Sequence, residues 1–243
     1  MRILAIVHEP DAGPGVFADV AHAHGHELHE WQIATGQRCP DQPQAYDAVL
    51  CLGGSMDANQ YAEHSWLADE QALLAALVRD GRPVLGVCLG AQVLARADGG
   101  SSDRLREPEI GWYDVQLTAD GRADPLLGPL GSSFQALQWH SCAITPSPRA
   151  QRLAASQRCV QAYRTGALAW GIQFHAEVTQ RDFESWIDYH IAHPGAGDEP
   201  DDAEVLLTQT RERMAGWNAL GRALFGRFLD QADVARAAAI AAR

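Results

Sequence analysis

A chain of 243 residues with 19 basic and 31 acidic side chains carries a formal charge of −12, and every one of its basic residues is arginine. The lack of lysine excludes a G-x-x-x-x-G-K-[ST] phosphate loop, a lysine Schiff base and a lysine general base. The acidic balance argues against a nucleic-acid partner, whose phosphates must be met by cations. No apolar run reaches the length of about 18 residues that suggests a membrane span, and the apolar opening is too short for a signal peptide. Five cysteines without paired spacing argue against a disulfide framework or a structural zinc site, and for a cytoplasmic protein with reduced thiols.

Taken in order, residues 2–7 form a continuous apolar run expected as a strand buried on both faces. A Gly/Pro loop, a helix over 16–24, a strand over 27–33 and a third strand over 48–52 follow, the last stopped by Gly53 and Gly54. Apolar residues from Leu67 to Val78 recur at helical spacing, 83–87 reads as a strand, and 89–97 as a helix closed by two glycines. The alternation predicts an α/β fold with a mostly parallel sheet and helices on both faces. Between 110 and 175 the pattern changes to strands at 112–117, 143–145, 160–163 and 169–174, an antiparallel excursion, before a helix over 183–191. An acidic Pro/Gly linker is expected over 191–203, dividing a domain at 1–190 from a C-terminal amphipathic helix and tail at 204–243. That helix carries Leu207, Met214, Trp217, Leu220, Leu224 and Phe228, with an alanine-rich end. Its apolar stripe packs back on the domain or serves a homodimer.

The strongest chemical signal is Gly86-Val87-Cys88-Leu89-Gly90, a strand entering G-x-C-x-G and leaving as a helix. This is the cysteine form of the nucleophile elbow, whose tight turn demands small residues on both sides. The sulfur then sits at a helix N-terminus, where free N–H groups and the dipole favour a thiolate. A base and its orienting group are offered by His175-Ala176-Glu177, which project to one side if the chain stays extended. Gly53-Gly54 after a strand frees backbone N–H for an oxyanion, with the N–H of Leu89 as the second donor. The histidines at 22, 24, 26 and 29 span a helix end and a strand with no completing ligands, so no metal is expected there.

GVCLGAQ around Cys88, GIQFHAE around His175 and Glu177, and LGGSM upstream resemble the class I (triad-type) glutamine amidotransferases, and most closely their stand-alone GMP-synthase-like members. His8-Glu9, Gly13-Pro14-Gly15, Glu109-Ile110-Gly111-Trp112 and Gln138-Trp139-His140 extend the resemblance across residues 1–190. It implies a flavodoxin-like fold, no cofactor, and hydrolysis of the glutamine side-chain amide through a γ-glutamyl thioester with release of ammonia. Carried over by position, Cys88 is the nucleophile, His175 the base and later the acid, and Glu177 its orienter. Gly54 and Leu89 form the oxyanion hole, and Gly53, Gln92, His140 and Ser141 contact the substrate. Ser141 and Cys142 depart from the family's His-Gly-Asp or His-Gly-Phe, and Ala176 replaces a common proline. The departing loop would read the substrate's amino-acid end, so a γ-glutamyl peptide or amide is the alternative substrate. A non-catalytic regulatory module is the remaining alternative. The residues after the amidase domain are too few for a nucleotide-using domain. A synthetase subunit would therefore receive the ammonia, or the chain works alone as a hydrolase.

Overall fold

A computed structural model describes residues 1–193 and 199–241. In chain order its elements are β1 (Arg2–Val7), α1 (Gly15–Ala23), β2 (Glu27–Gln32), β3 (Ala48–Cys51), α2 (Trp66–Arg79), β4 (Val84–Val87) and α3 (Leu89–Ala97). There follow β5 (Ser101–Leu117), α4 (Ala119–Ala123), β6 (Ser133–Thr145), β7 (Gln151–Ala155), β8 (Val160–Thr165), β9 (Ala169–Ile172), α5 (Gln180–Ala192) and α6 (Ala203–Ala241). Along β1, Ile3, Ala5 and Val7 enter one apolar core while Leu4 and Ile6 enter another, because successive strand side chains point to opposite faces. Both faces are therefore covered by helices. Phe17 of α1 stacks on Phe225 of α6 at 4.6 Å on one face, and Leu74 of α2 and Leu94 of α3 pack on the other.

The strand order is β2-β1-β3-β4-β9-β8-β6-β5-β7. Strands β2 through β9 in that order pair in parallel. The remaining pairings are antiparallel, and β7 also pairs with β8, so β8, β6, β5 and β7 close into a ring. This corrects the expected mostly parallel sheet, since the antiparallel part is as large as the parallel one. Its extent was hidden because the first half of β5, Ser101 to Pro108, is largely polar and solvent-facing. It is held by its ladder to β6 across an irregularity between Arg104 and Glu109, rather than by an apolar pattern of its own. Strand β6 likewise begins ten residues before the expected stretch, and β7 and α4 carry no clear signal.

Helix α6 is one continuous helix of 39 residues, and its alanine-rich end is helical through Ala241. Met214, Trp217, Leu224 and Phe228 are buried against the domain, and Leu207 and Leu220 are partly buried beside it. Gly221 lets this helix approach closely, since a Cβ there would collide with the Ala176 carbonyl. Of the expected linker, 191 and 192 belong to α5 and 203 begins α6, while 194–198 lie outside the described residues, as do 242–243 of the tail. No helix among the described residues is long and apolar enough to cross a membrane.

Candidate active site

In an open parallel sheet, ligands bind beyond the carboxyl ends of the strands, near the point where strand order reverses. Here that reversal lies between β1 and β3, and His8, Gly53, Cys88 and His175 all follow strand ends at this edge. Cys88 caps α3 with φ +50° and ψ −110°, the one non-glycine residue at positive φ among the described residues. Such a conformation costs about 1–3 kcal/mol and persists only where the surroundings impose it. The two flanking glycines are what permit it. A Cβ at Gly86 would press on the Gly90–Ala91 peptide, and one at Gly90 would collide with the Cys51 carbonyl. Gly90→Ala is therefore expected to destabilise the fold by roughly 3 kcal/mol. Urea unfolding measures it, and an unchanged midpoint would contradict the packing described.

Residues 173–177 lie on irregular backbone with bends beyond β9, not on the strand extension expected. The two side chains meet nonetheless. His175 Nδ1 is 2.7 Å from Glu177 Oε1, and both residues are buried. Burial by itself would lower the His175 pKa, but the Glu177 carboxylate and the Cys88 sulfur hold it well above the ordinary histidine value. Gln173 Nε2 points toward Cys88 Sγ at 3.6 Å, and the thiol faces the Trp139 carbonyl at 3.9 Å. The Gly53 backbone fits tightly here: a Cβ on it would lie 3.0 Å from His175 Cε1 and 3.6 Å from Cys88 Cβ. Leu89 is the first residue of α3, where a helix N–H has no partner within its own helix.

Cys88 and His175 open into a cavity of about 550 Å³ that is also lined by Gly54, Gln92, His140 and Ser141. Leu89 and Glu177 stand behind this wall, fully or almost fully buried. Gln92 donates weakly to Gln173 Oε1 at 3.5 Å, and its own Oε1 is buried without a partner. An unpaired buried acceptor is costly unless something in the cavity donates to it. Also on the cavity wall, the Cys142 thiol donates to Asp57 Oδ1 at 3.1 Å, and burial together with Asp57 pushes its pKa up to about 12. Arg104 lies 3.4 Å from Asp57 and 3.3 Å from Ser141 Oγ.

Residues 11–189 match the family model of class-I glutamine amidotransferases. The chain belongs to this family. A glutamine amidotransferase-like protein of Salmonella typhimurium is 29% identical over 193 residues, spanning 78% of this chain and 81% of the relative. A subunit of the glutamine-hydrolysing GMP synthase of Ignicoccus hospitalis is 38% identical over 154 residues, 62% of this chain and 77% of that one. A solved glutamine amidotransferase from Thermotoga maritima superposes with a TM-score of 0.84 at 27% identity, over 94% of this chain and 97% of that chain.

Several residues of this amidotransferase-family site escape sequence reading. Gln173 could have been found, because it stands two before His175 and so on the same side of an extended segment. Asp57, Arg104 and Trp186, which also line the cavity, carry no local signal. Trp217 carries none either, yet its indole N–H donates to the His175 carbonyl at 2.8 Å from α6. Asn218 beside it donates to the Val178 carbonyl at 2.8 Å, and the Glu177 carbonyl accepts from the Val16 N–H at 2.8 Å. The His175–Val178 segment is thus anchored from α1 and α6 together.

The site also sets a pH dependence. The pKa values of His175 and His8 are raised on folding, and those of Cys51, Cys142 and Cys159 are raised by burial. A raised group favours folding below its unfolded pKa and ceases to do so as pH climbs through the folded one. The unfolded values are about 6.5 for histidine and 8.5 for cysteine. Unfolding free energy should therefore fall from about pH 6.5 upward and more steeply above about 8.5. Denaturant midpoints between pH 6 and 10 read this directly, and a stability rising over that range would contradict it.

Proposed function

We propose that the chain hydrolyses a γ-glutamyl amide, with the side-chain amide of glutamine as the first substrate, through a thioester on Cys88. The observation that carries this reading is the buried His175–Glu177 pair at 2.7 Å with the Cys88 sulfur against the same ring, at the wall of one cavity. Glu177 holds the Nδ1 proton of His175, leaving Nε2 to take the thiol proton as sulfur attacks the amide carbon. The N–H groups of Gly54 and Leu89 receive the oxyanion. His175 then gives the proton to the departing nitrogen and ammonia leaves. Water, deprotonated by His175, cleaves the thioester and releases glutamate. Gln92, with its unpartnered Oε1, accepts from the substrate's ammonium group, while Gly53, His140 and Ser141 shape the remaining contacts. No cofactor takes part.

A second reading, hydrolysis of γ-glutamyl peptides or other γ-glutamyl amides, is favoured by one observation. Part of the cavity wall is built from side chains, with Cys142, Asp57, Arg104 and Ser141 linked at 3.1–3.4 Å. Ammonia release from glutamine and amine release from γ-glutamyl compounds, measured side by side, test both. A kcat/KM at least tenfold higher for glutamine favours the first, and the reverse favours the second. Equal inertness toward all of them overturns the proposal.

We read the parallel layer as flavodoxin-like, residues 1–190 as the amidase domain, and 204–243 as its helical buttress. The ammonia passes to a separate ATP-using synthetase subunit or, failing one, is released to solvent by a chain that works alone as a hydrolase. The Ignicoccus relative, itself named as one subunit of a synthase, supports the former. Homodimerisation and a cytoplasmic location belong to the same proposal, the latter supported by five free thiols.

A further inference from the structure

Behind the Gly53–Gly54 loop lies a buried charged cluster that the reaction above does not use. His8, immediately after β1, places Nδ1 3.0 Å from the Gly53 carbonyl. Its Nε2 lies 3.0 and 3.1 Å from the two carboxylate oxygens of Glu70 on α2. Cys51 at the end of β3 donates its thiol to the same carboxylate at 2.8 Å, and Trp66 stacks on the His8 ring with centroids 5.2 Å apart. His8 and Glu70 are 3% and 0% exposed, so water cannot substitute for these contacts. A backbone carbonyl only accepts, so Nδ1 must donate, and against an ionised Glu70 carboxylate Nε2 donates too, making the ring an imidazolium. Burial works against that charge, but Glu70 outweighs it and keeps the His8 pKa above the ordinary value.

The peptide joining Gly53 to Gly54 is planar and trans, so its C=O and its N–H point in opposite directions. Fixing the carbonyl on His8 thereby fixes the direction of the Gly54 N–H, and the imidazolium polarises that peptide into a stronger donor. Gly54 lines the cavity with Cys88. A Cβ there would stand 3.0 Å from both His8 Cβ and Leu89 Cδ2, so the loop has little freedom to turn.

We propose that His8 and Glu70 are positioning residues that aim the Gly54 N–H at the oxyanion formed when Cys88 attacks its substrate. The proposal rests on the thioester reading given above. A buried ion pair of purely structural use would affect stability, but it would not discriminate between donor positions on residue 8.

The test is the rate at which L-γ-glutamyl p-nitroanilide acylates Cys88 in the full chain, with alkylation by iodoacetamide as a reference that forms no oxyanion. His8→Asn keeps an amide N–H near the place of Nδ1, whereas His8→Gln carries it out to the place of Nε2. Loss of one oxyanion donor costs about 10²–10³-fold. His8→Gln is therefore expected to acylate about 10²-fold more slowly, with KM moved less than about threefold. His8→Asn should recover at least about tenfold of that loss, and alkylation should stay near the wild-type rate in both. Equal rates for the two variants, a loss shared by alkylation, or a change confined to KM overturns the positioning role. Wild-type chain that is alkylated but never acylated overturns the thioester reading itself, and the positioning role with it. In the wild type, nitrogen NMR of His8 gives a second measurement that needs no variant: a proton on Nδ1 supports the assignment, and a ring protonated only at Nε2 overturns it.

Discussion

Replacing Cys88 with alanine is expected to lower γ-glutamyl amide hydrolysis by about 10⁴-fold or more, because groups that act as one catalytic unit fail together when the nucleophile is lost. The fold should survive the change. Besides its place against the His175 ring, the Cys88 side chain makes long contacts, to Gln173 at 3.6 Å and the Trp139 carbonyl at 3.9 Å. The strained φ of +50° is imposed by the glycine-flanked turn, and alanine tolerates it no worse than cysteine does. Cys88→Ser should fall nearly as far, since a hydroxyl is a weaker nucleophile than a thiol at neutral pH. Steady-state assay of both variants beside denaturant unfolding separates chemistry from folding. Retention of a tenth of the wild-type rate by Cys88→Ala would exclude a thioester on this residue.

Trp217→Ala should produce the largest effect on stability, a loss of about 3–5 kcal/mol. The indole is buried from α6, meets Trp112 edge-on at 5.4 Å and Phe174 at 6.0 Å, and donates to the His175 carbonyl. Truncation would leave a cavity at the seam between α6 and the sheet, and would strip a buried carbonyl of its donor. Trp217→Phe fills most of the volume without the N–H, and should cost only about 1–2 kcal/mol. Because that bond sits on the His175 backbone, Trp217→Phe should also lower kcat more than it changes KM. Chemical denaturation gives the first quantity and substrate titration the second. A Trp217→Ala variant as stable as wild type would mean that α6 is not part of the cooperative unit.

Much of the parallel layer was legible because its signals are local. Residues 3–7 and 84–87 are uninterrupted apolar runs, short and bounded as a strand buried on both faces requires. The elbow was legible because a turn this tight leaves no room for a side chain at 86 or 90, and both positions are glycine. The ring of β5, β6, β7 and β8 was legible only in fragments. Its long ladders put polar residues such as Asp103, Arg104 and Gln135 on a solvated face, where no alternation is required. Pairing energy there depends on the neighbouring strand rather than on the segment itself.

The site divides in the same way. Cys88, His175 and Glu177 could be put forward from residue type and spacing, because the proposed nucleophile, base and orienter need particular chemistries in particular local frames. The contact between His175 and Glu177 spans two residues, so sequence spacing nearly sufficed. The contact between His8 and Glu70 spans 62 residues, and that between Trp217 and His175 spans 42. Neither carries a motif, because a buried carboxylate or an indole donor can be supplied from any element that the fold brings near. By itself, the sequence determined the family to which the chain belongs and the strand ends that carry its candidate site. Only the tertiary structure decided how large the antiparallel part is, which face α6 covers, and which distant side chains hold the reactive backbone in place. Local stereochemistry is written residue by residue, whereas burial and long-range hydrogen bonding exist only once the chain has closed around them.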